Sequence, residues 1–356
     1  MRKIKNIGPG MLPLLILIIA EWIWGMEVGL WVALAYGIIE LAYFGIKYRR
    51  FEKSTIADIG LIVGLGAVAL LLEGETLEQI KSLIYLSILM LLVGVSVFSK
   101  HNIMLAASGR MLKGRTFSPF ELYRMESMMK SMFYWMSAYF VILLITLLFL
   151  PQSLIDFFNG TGIYIVIGAY FLFTFFYSKY QNRKFGKEEW LPLIKEDGSA
   201  IGAAPRSLVH KSAHHWLHPV VHLQVVGDGG LWLQKRAMDK LVQPGKWDTA
   251  VGGHVTANET VEMALMKEAW QEINLRLEGE KVNVLGRYQW KTEIEYEMVY
   301  SFLFYTDKEL FARNDEVDDL KLWTFEEIEQ EIGKDVFTPN FEYEFALYKE
   351  RLLEKE

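Results

Sequence analysis

"GGHVTANETVEMALMKEAWQEINL" runs from Gly252 to Leu275, and its spacing predicts a helix that carries chemistry. Val261, Leu265, Ala269 and Ile273 recur at helical intervals and mark a buried face. Asn258 is positioned to cap the start. Glu268 and Glu272 are four residues apart, so their carboxylates share another face, one turn apart. Two like charges stacked this way repel unless a cation lies between them, and a hard divalent ion such as magnesium takes carboxylate oxygens. The glycines ahead of the helix, Gly252 and Gly253, let backbone approach such a site closely.

The flanks of this helix read as strands. "LHPVVHLQVV" (Leu217–Val226) and "GLWLQKRA" (Gly230–Ala237) enclose "GDG", a hairpin signal. "KTEIEYEMVYSFLFYT" (Lys291–Thr306) alternates and then turns apolar, as a strand entering a core does. "LKLWTF" is a further short strand. Two helices follow, "TFEEIEQEI" and "FEYEFALYKERLLEK", with Thr338 and Pro339 as the start of the second.

The order Gly253, Glu259, Lys267-Glu268, Gln271-Glu272, Asn274, Leu275 resembles the Nudix box. In the box the corresponding residues are Gly, Glu, Arg-Glu, Glu-Glu, Gly and an apolar residue. The flanking strands are similar to those of a Nudix α/β/α sandwich. The resemblance implies a helix that holds magnesium or manganese on a diphosphate attacked by water. By position it makes Glu268, Glu272 and Gln271 metal ligands, with Glu268 acting on or orienting the water. It also makes Glu259 the partner of Lys267, bracing the loop. Three positions depart from the pattern. Lys267 keeps the positive charge but lacks the planar fork of arginine. Gln271 replaces an anionic ligand with an amide oxygen. Asn274 replaces a glycine, and asparagine tolerates a left-handed helix end.

"LQKRAMDKLVQPGKWDTAVGGHV" is similar to isopentenyl-diphosphate isomerases and their hydrolase relatives. In the isomerases a catalytic cysteine precedes Gly-His; Gly252 stands there and the chain has no cysteine, so the hydrolase relatives fit better. The same resemblance offers a second metal set, His218, His254, Glu295 and Glu297. His218 and His222 share one face of their strand, and Glu295 and Glu297 one face of theirs. These residues also fit half-buried or solvated strand faces. Lys235, Arg236, Lys240 and Lys246 gather before the helix as a phosphate seat or as solvated charge, and "PRSLVHKSAHHWLH" (Pro205–His218) adds more basic groups. Trp232, Trp247, Tyr288 and Trp290 suit either a base stack or the core.

The amino-terminal half has a different texture. Residues 1–187 hold 18 Lys+Arg against 11 Asp+Glu, a net +7, and residues 188–356 hold 19 against 32, a net −13. Two environments follow, and the acidic half argues against nucleic acid as a partner. The absence of cysteine excludes disulfides, thiolate metal sites and cysteine catalysis. Six apolar stretches, at about 9–25, 27–46, 58–72, 79–98, 133–150 and 162–178, predict a bundle of about six transmembrane helices. Basic residues crowd alternate loops, from Arg2 and Lys3 through Arg49, Arg110 and Lys184, while "PQSLIDFFNGTG" carries none. That alternation places both termini and the acidic domain in the cytoplasm and the chain in an inner membrane. "SPFELYRMESMMKSMFYW" (Ser118–Trp135) reads as a cytoplasmic helix feeding the fifth span. Glu21 and Glu40 lie in apolar surroundings, on a substrate path or paired with neighbours. "YRRFEKSTIADIGLIVGLGAV" faintly resembles septation-protein-A-like membrane proteins.

The expected organisation is a transmembrane domain at 1–180, a linker at 181–190 and a cytoplasmic Nudix domain at 191–356. The expected activity is magnesium- or manganese-dependent hydrolysis of a small-molecule diphosphate at a lipid bilayer. The alternative is a membrane sensor or transporter that binds a diphosphate without cleaving it. Oligomeric state is not legible in the sequence.

Overall fold

A computed structural model of the chain describes residues 16–17, 19–20, 23–48, 59–60, 62–64, 75–99, 117–211, 214–240, 242–313 and 317–354. The chain divides into two compact units, Met1–Phe117 with Glu121–Gln181, and Ser118–Phe120 with Asn182–Glu356.

The first unit is helical. Its labelled elements are α1 (Met26–Tyr48), α2 (Glu75–Phe98), α3 (Pro119–Phe149), α4 (Gln152–Phe157) and α5 (Ile163–Phe185). Among the described residues only two helices are long and apolar enough to cross a membrane, Pro119–Phe149 and the continuous run Gln152–Phe185. They contain the fifth and sixth of the six expected stretches. Shorter apolar runs lie in α1, at Val28–Tyr43, and in α2, at Ser82–Phe98. The expected stretches at 9–25 and 58–72 fall largely outside the described residues. Two corrections concern connections. The stretch Ser118–Trp135 is not a separate helix but the first half of the 31-residue α3. "PQSLIDFFNGTG" is not an open loop: Pro151 ends one helix and caps the next, α4, which passes through a π-helical turn at Phe158–Gly162 into α5.

Hydroxyl groups in this unit turn inward onto their own helices. Ser87, Ser96, Ser137 and Thr146 each donate to the carbonyl four residues back, at 2.7–2.9 Å. This satisfies a polar group without water. Much of the remaining surface is apolar; Phe171, Leu172, Phe175 and Phe176 are all more than three-fifths exposed.

The second unit opens with a hairpin, β1 (Trp190–Ile194) and β2 (Ala200–Pro205), followed by the short helix α6 (Arg206–Val209). The expected linker is therefore partly helical, because α5 continues to Phe185. A seven-stranded mixed sheet follows. Its strands are β3 (His218–Gly227), β4 (Gly230–Arg236), β5 (Trp247–Thr249), β6 (Val251–His254), β7 (Asn283–Lys291), β8 (Tyr296–Tyr305) and β9 (Val317–Thr324). The order is β5-β4-β3-β8-β7, with β6 paired to β3 and β9 to β4; β3 and β8 run parallel. Gly227-Asp228-Gly229-Gly230 makes the expected tight turn, with Gly229 at φ +80°, a conformation that favours glycine. The expected strand over Lys291–Thr306 begins later than read. Lys291 closes β7, and a turn, in which Thr292 N–H donates to the Glu295 carbonyl at 2.9 Å, precedes β8.

Helices cover both faces of the sheet. Val221, Leu223 and Val225 of β3, with Phe302 and Phe304 of β8, pack against Leu265, Ala269 and Ile273 of α7 (Val261–Ile273). On the other face Leu231, Leu233, Leu303 and Trp323 meet Ile328 of α8 (Phe325–Glu331). The same cluster takes in Phe341 and Phe345 of α9 (Pro339–Leu353). Thr338 caps α9 ahead of Pro339, as read from the sequence.

Candidate active site

The helix quoted at the outset is α7. Its cap is Thr260 rather than Asn258: the Thr260 hydroxyl accepts from the Met263 N–H at 3.2 Å. Both residues suit the role, and the two-residue shift starts the helix at Val261. Asn274 takes the left-handed conformation at the far end, φ 55° and ψ 27°. Beyond it the Arg313 N–H donates to the Glu272 carbonyl at 2.8 Å, and the Arg313 guanidinium lies 3.9 Å above the Trp270 ring. The carboxyl-terminal turn of α7 is thus tied down from outside.

Lys267 Nζ lies 3.0 Å from Glu259 and 3.1 Å from Glu268 Oε1. Burial works against its charge, but the Glu259 hydrogen bond and the Glu268 carboxylate outweigh this and hold its pKa above the usual lysine value. Glu259 also accepts from the Thr256 N–H at 3.1 Å, closing the turn ahead of α7. Gly253 faces Glu268 so closely that a Cβ there would lie 2.3 Å from Glu268 Cγ. Glu272 is buried and its Oε2 accepts from Gln234 Nε2 at 3.2 Å and from the Gly252 N–H at 3.1 Å. Gln271 is exposed.

Strand β6 divides the site by its alternation. Gly253 turns toward α7. Gly252 and His254 turn to the opposite face, beside their β3 partners His222 and Val220. One register row further along β3, His218 is paired with Glu297 of β8. There His218, His254 and a third histidine, His210, converge, with their candidate ligand atoms all within 4.8 Å of one another. His210 follows α6 on the segment after the β1–β2 hairpin. Its Nε2 lies 3.0 Å from His254 Nε2. The sequence reading passed over His210 as one basic group in a mixed stretch; the density of histidines from His210 to His218 was the available signal.

The donor chemistry fits a divalent metal. His218 Nδ1 lies 3.0 Å from the Trp216 carbonyl, which can only accept, so Nδ1 carries the proton and Nε2 is the lone-pair nitrogen. That Nε2 is fully buried with no hydrogen-bond partner, 3.8 Å from Glu297 Oε1. Burial, reinforced by neighbouring positive charge, lowers the pKa of His210 and His218 to about 4 and that of His254 well below its usual value. All three imidazoles are therefore neutral at pH 7, the form that ligates metal. Burial, then repulsion from Glu295, pushes the Glu297 carboxyl up to about 8, and Glu295 is raised by burial too. A bound cation would relieve both.

The basic cluster is partly spent on the protein itself. Arg236 Nη1 lies 3.1 Å from Asp248 Oδ2, and Lys246 pairs with Asp335. Lys240 contributes charge toward His254, and Lys235 is half-buried on β4. Of the four aromatic residues named from sequence, Trp232 and Trp247 pack against the two cores and Tyr288 is buried. Trp290 stands half-buried beside Tyr343, ring centroids 5.8 Å apart.

Residues 216–341, within the second unit, match the NUDIX domain family. An isopentenyl-diphosphate Delta-isomerase of Cutibacterium acnes is 33% identical over 101 residues, 28% of this chain and 50% of that protein. An uncharacterized Nudix hydrolase of Nostoc sp. is 33% identical over 98 residues, 28% of this chain and 58% of that protein. The chain spans about half the length of these curated relatives. The solved structure of DR0079 from Deinococcus radiodurans aligns with 47% of this chain and 100% of its own, at 19% identity and a TM-score of 0.39.

Proposed function

We propose that this chain is a membrane-anchored, divalent-metal-dependent hydrolase that cleaves a diphosphate linkage in a nucleoside-diphosphate or related small molecule. The observation that carries the reading is the set Glu259–Lys267–Glu268 with Glu272 on α7, lying within a NUDIX domain match. When bound, a magnesium or manganese ion supplies positive charge that polarises the phosphoryl group and eases deprotonation of water. Glu268, fixed by Lys267, accepts the proton of the attacking water. Glu272 fixes the backbone of β6 through the Gly252 N–H, so the glycine pair keeps its distance from α7. His210, His218 and His254, with Glu297 beside His218, form a second donor set on the other face of β6. Nitrogen donors favour manganese or zinc over magnesium there.

The two long apolar helices, with mostly outward-facing apolar side chains, support an anchor in the bilayer. The alternation of basic loops supports an inner-membrane chain with both termini and the hydrolase unit in the cytoplasm. The full-length chain in nanodiscs, supplied with Mg²⁺ or Mn²⁺, tests the reading against nucleoside-diphosphate sugars, dinucleotides and isoprenoid diphosphates. Release of a phosphate monoester that Glu268→Gln abolishes is the expected result. Full activity in Glu268→Gln sinks the assignment, and tight binding without cleavage favours the sensor or transporter.

A further inference from the structure

One buried ion pair stands outside the machinery so far described. His222 Nδ1 lies 2.6 Å from Glu344 Oε2, linking β3 to α9. The carboxylate is fully buried, and its Oε2 also lies 3.2 Å from the Tyr288 hydroxyl, which lies 2.7 Å from Asn340 Oδ1. The imidazole is thus clamped by its Nδ1 edge. Its Nε2 edge faces the strand pair β3–β6, opposite Gly252. A Cβ at Gly252 would lie 3.6 Å from His222 Cδ2 and 3.7 Å from Nε2. Glycine therefore leaves a methyl-sized gap over the ring edge, next to the strand that carries Gly253 and His254.

We propose that His222 is an anion-binding residue whose Nε2–H, held by Glu344, donates to a phosphoryl oxygen of the diphosphate lying over Gly252. This rests on the hydrolase reading above and adds a named contact to it. The groups around the ring keep it cationic. Burial opposes the charge, but Glu344 from α9, Asp248 from β5 and Glu297 from β8 outweigh it, and the His222 pKa rises to about 9. Glu344 answers in kind: burial would raise its carboxyl, but the His222 charge and hydrogen bond pull it below the usual range. Asp248 is itself met by Arg236 at 3.1 Å and by the Thr338 hydroxyl at 2.9 Å. Tyr288 from β7 has its hydroxyl pKa pushed far up, by burial first and then by Glu344, so it stays neutral. A histidine with one edge on a carboxylate and a charged N–H on the other is a fixed, charge-assisted donor.

The test uses the full-length chain in nanodiscs with Mg²⁺ and methylenediphosphonate, a diphosphate analogue that cannot be hydrolysed. Calorimetry should show binding weakened about 10- to 100-fold in His222→Gln, with Mg²⁺ affinity close to wild type and a lowered Tm, because the buried Glu344 carboxylate loses its cationic partner. Binding by the wild type should fall between pH 8 and 10, even though the phosphonate gains negative charge toward the top of that range. Glu344→Gln, which keeps the shape but removes the charge, should move that fall to lower pH. Equal affinity in wild type and His222→Gln overturns the proposal. If His222→Gln does not fold, flat wild-type affinity from pH 8 to 10 overturns it instead. A wild type that hydrolyses diphosphates yet shows either result leaves the hydrolase reading standing and removes only His222.

Discussion

Gly253→Ala is the substitution whose outcome the geometry states most sharply. The new methyl carbon would sit 2.3 Å from Glu268 Cγ, 2.4 Å from Cδ and 2.9 Å from Oε1. Carbon atoms pack at about 3.5–4.0 Å, so the Glu268 side chain must retreat by about an ångström or more. It cannot do so by swinging a free tip, because the clash falls on Cγ and Cδ and because Oε1 is held by Lys267 at 3.1 Å. Overpacking of this kind costs about 1–3 kcal/mol, and a catalytic group misplaced by about 1 Å loses roughly 100-fold in rate. Turnover of a diphosphate by the full-length chain should therefore fall about 100-fold in kcat, while thermal unfolding moves by only a few degrees. Gly252→Ala is the internal control for stability, since its Cβ meets nothing nearer than 3.6 Å. If Gly253→Ala keeps wild-type kcat, the close approach of β6 to Glu268 does not position the carboxylate and the reasoning fails.

Two further substitutions probe the ends of the site. Asn274→Gly should leave the Tm unchanged or raise it, and Asn274→Ala should lower stability by about 1 kcal/mol, because only the first accepts the left-handed conformation freely; equal unfolding curves for both would count against the cap. His210→Ala should weaken zinc or manganese binding at least tenfold in calorimetry while magnesium binding at the α7 carboxylates is unaffected, and an unchanged zinc affinity would show that the three histidines do not act as one ligand set.

How much of this was legible depends on whether the controlling contacts are local. The α7 stripe, the left-handed Asn274, the Lys267–Glu259 contact and the tight turn at Gly229 each lie within one short segment of chain, and the sequence pattern carries them. The cap was misplaced from Thr260 to Asn258 because both side chains suit it. The His222–Glu344 pair spans 122 residues and depends on α9 folding back across β3, which no periodicity announces. His210 arrives on a segment after a hairpin outside the main sheet, again a tertiary event. "PQSLIDFFNGTG" has loop-like composition yet continues as helix. Propensity yields there to the neighbouring helices on either side.

Strand β6 is four residues long, and its alternate positions serve different chemistries: Gly253 sets the carboxylates of α7, while Gly252 and His254 belong to the histidine side. A single inserted or deleted residue would exchange these duties, putting a histidine where only hydrogen fits and withdrawing a ligand from its neighbours. The two halves of the site therefore share one ruler. They cannot be retuned separately by changes in chain length, only by substitution, and a lineage that alters one half must do so with β6 held in step.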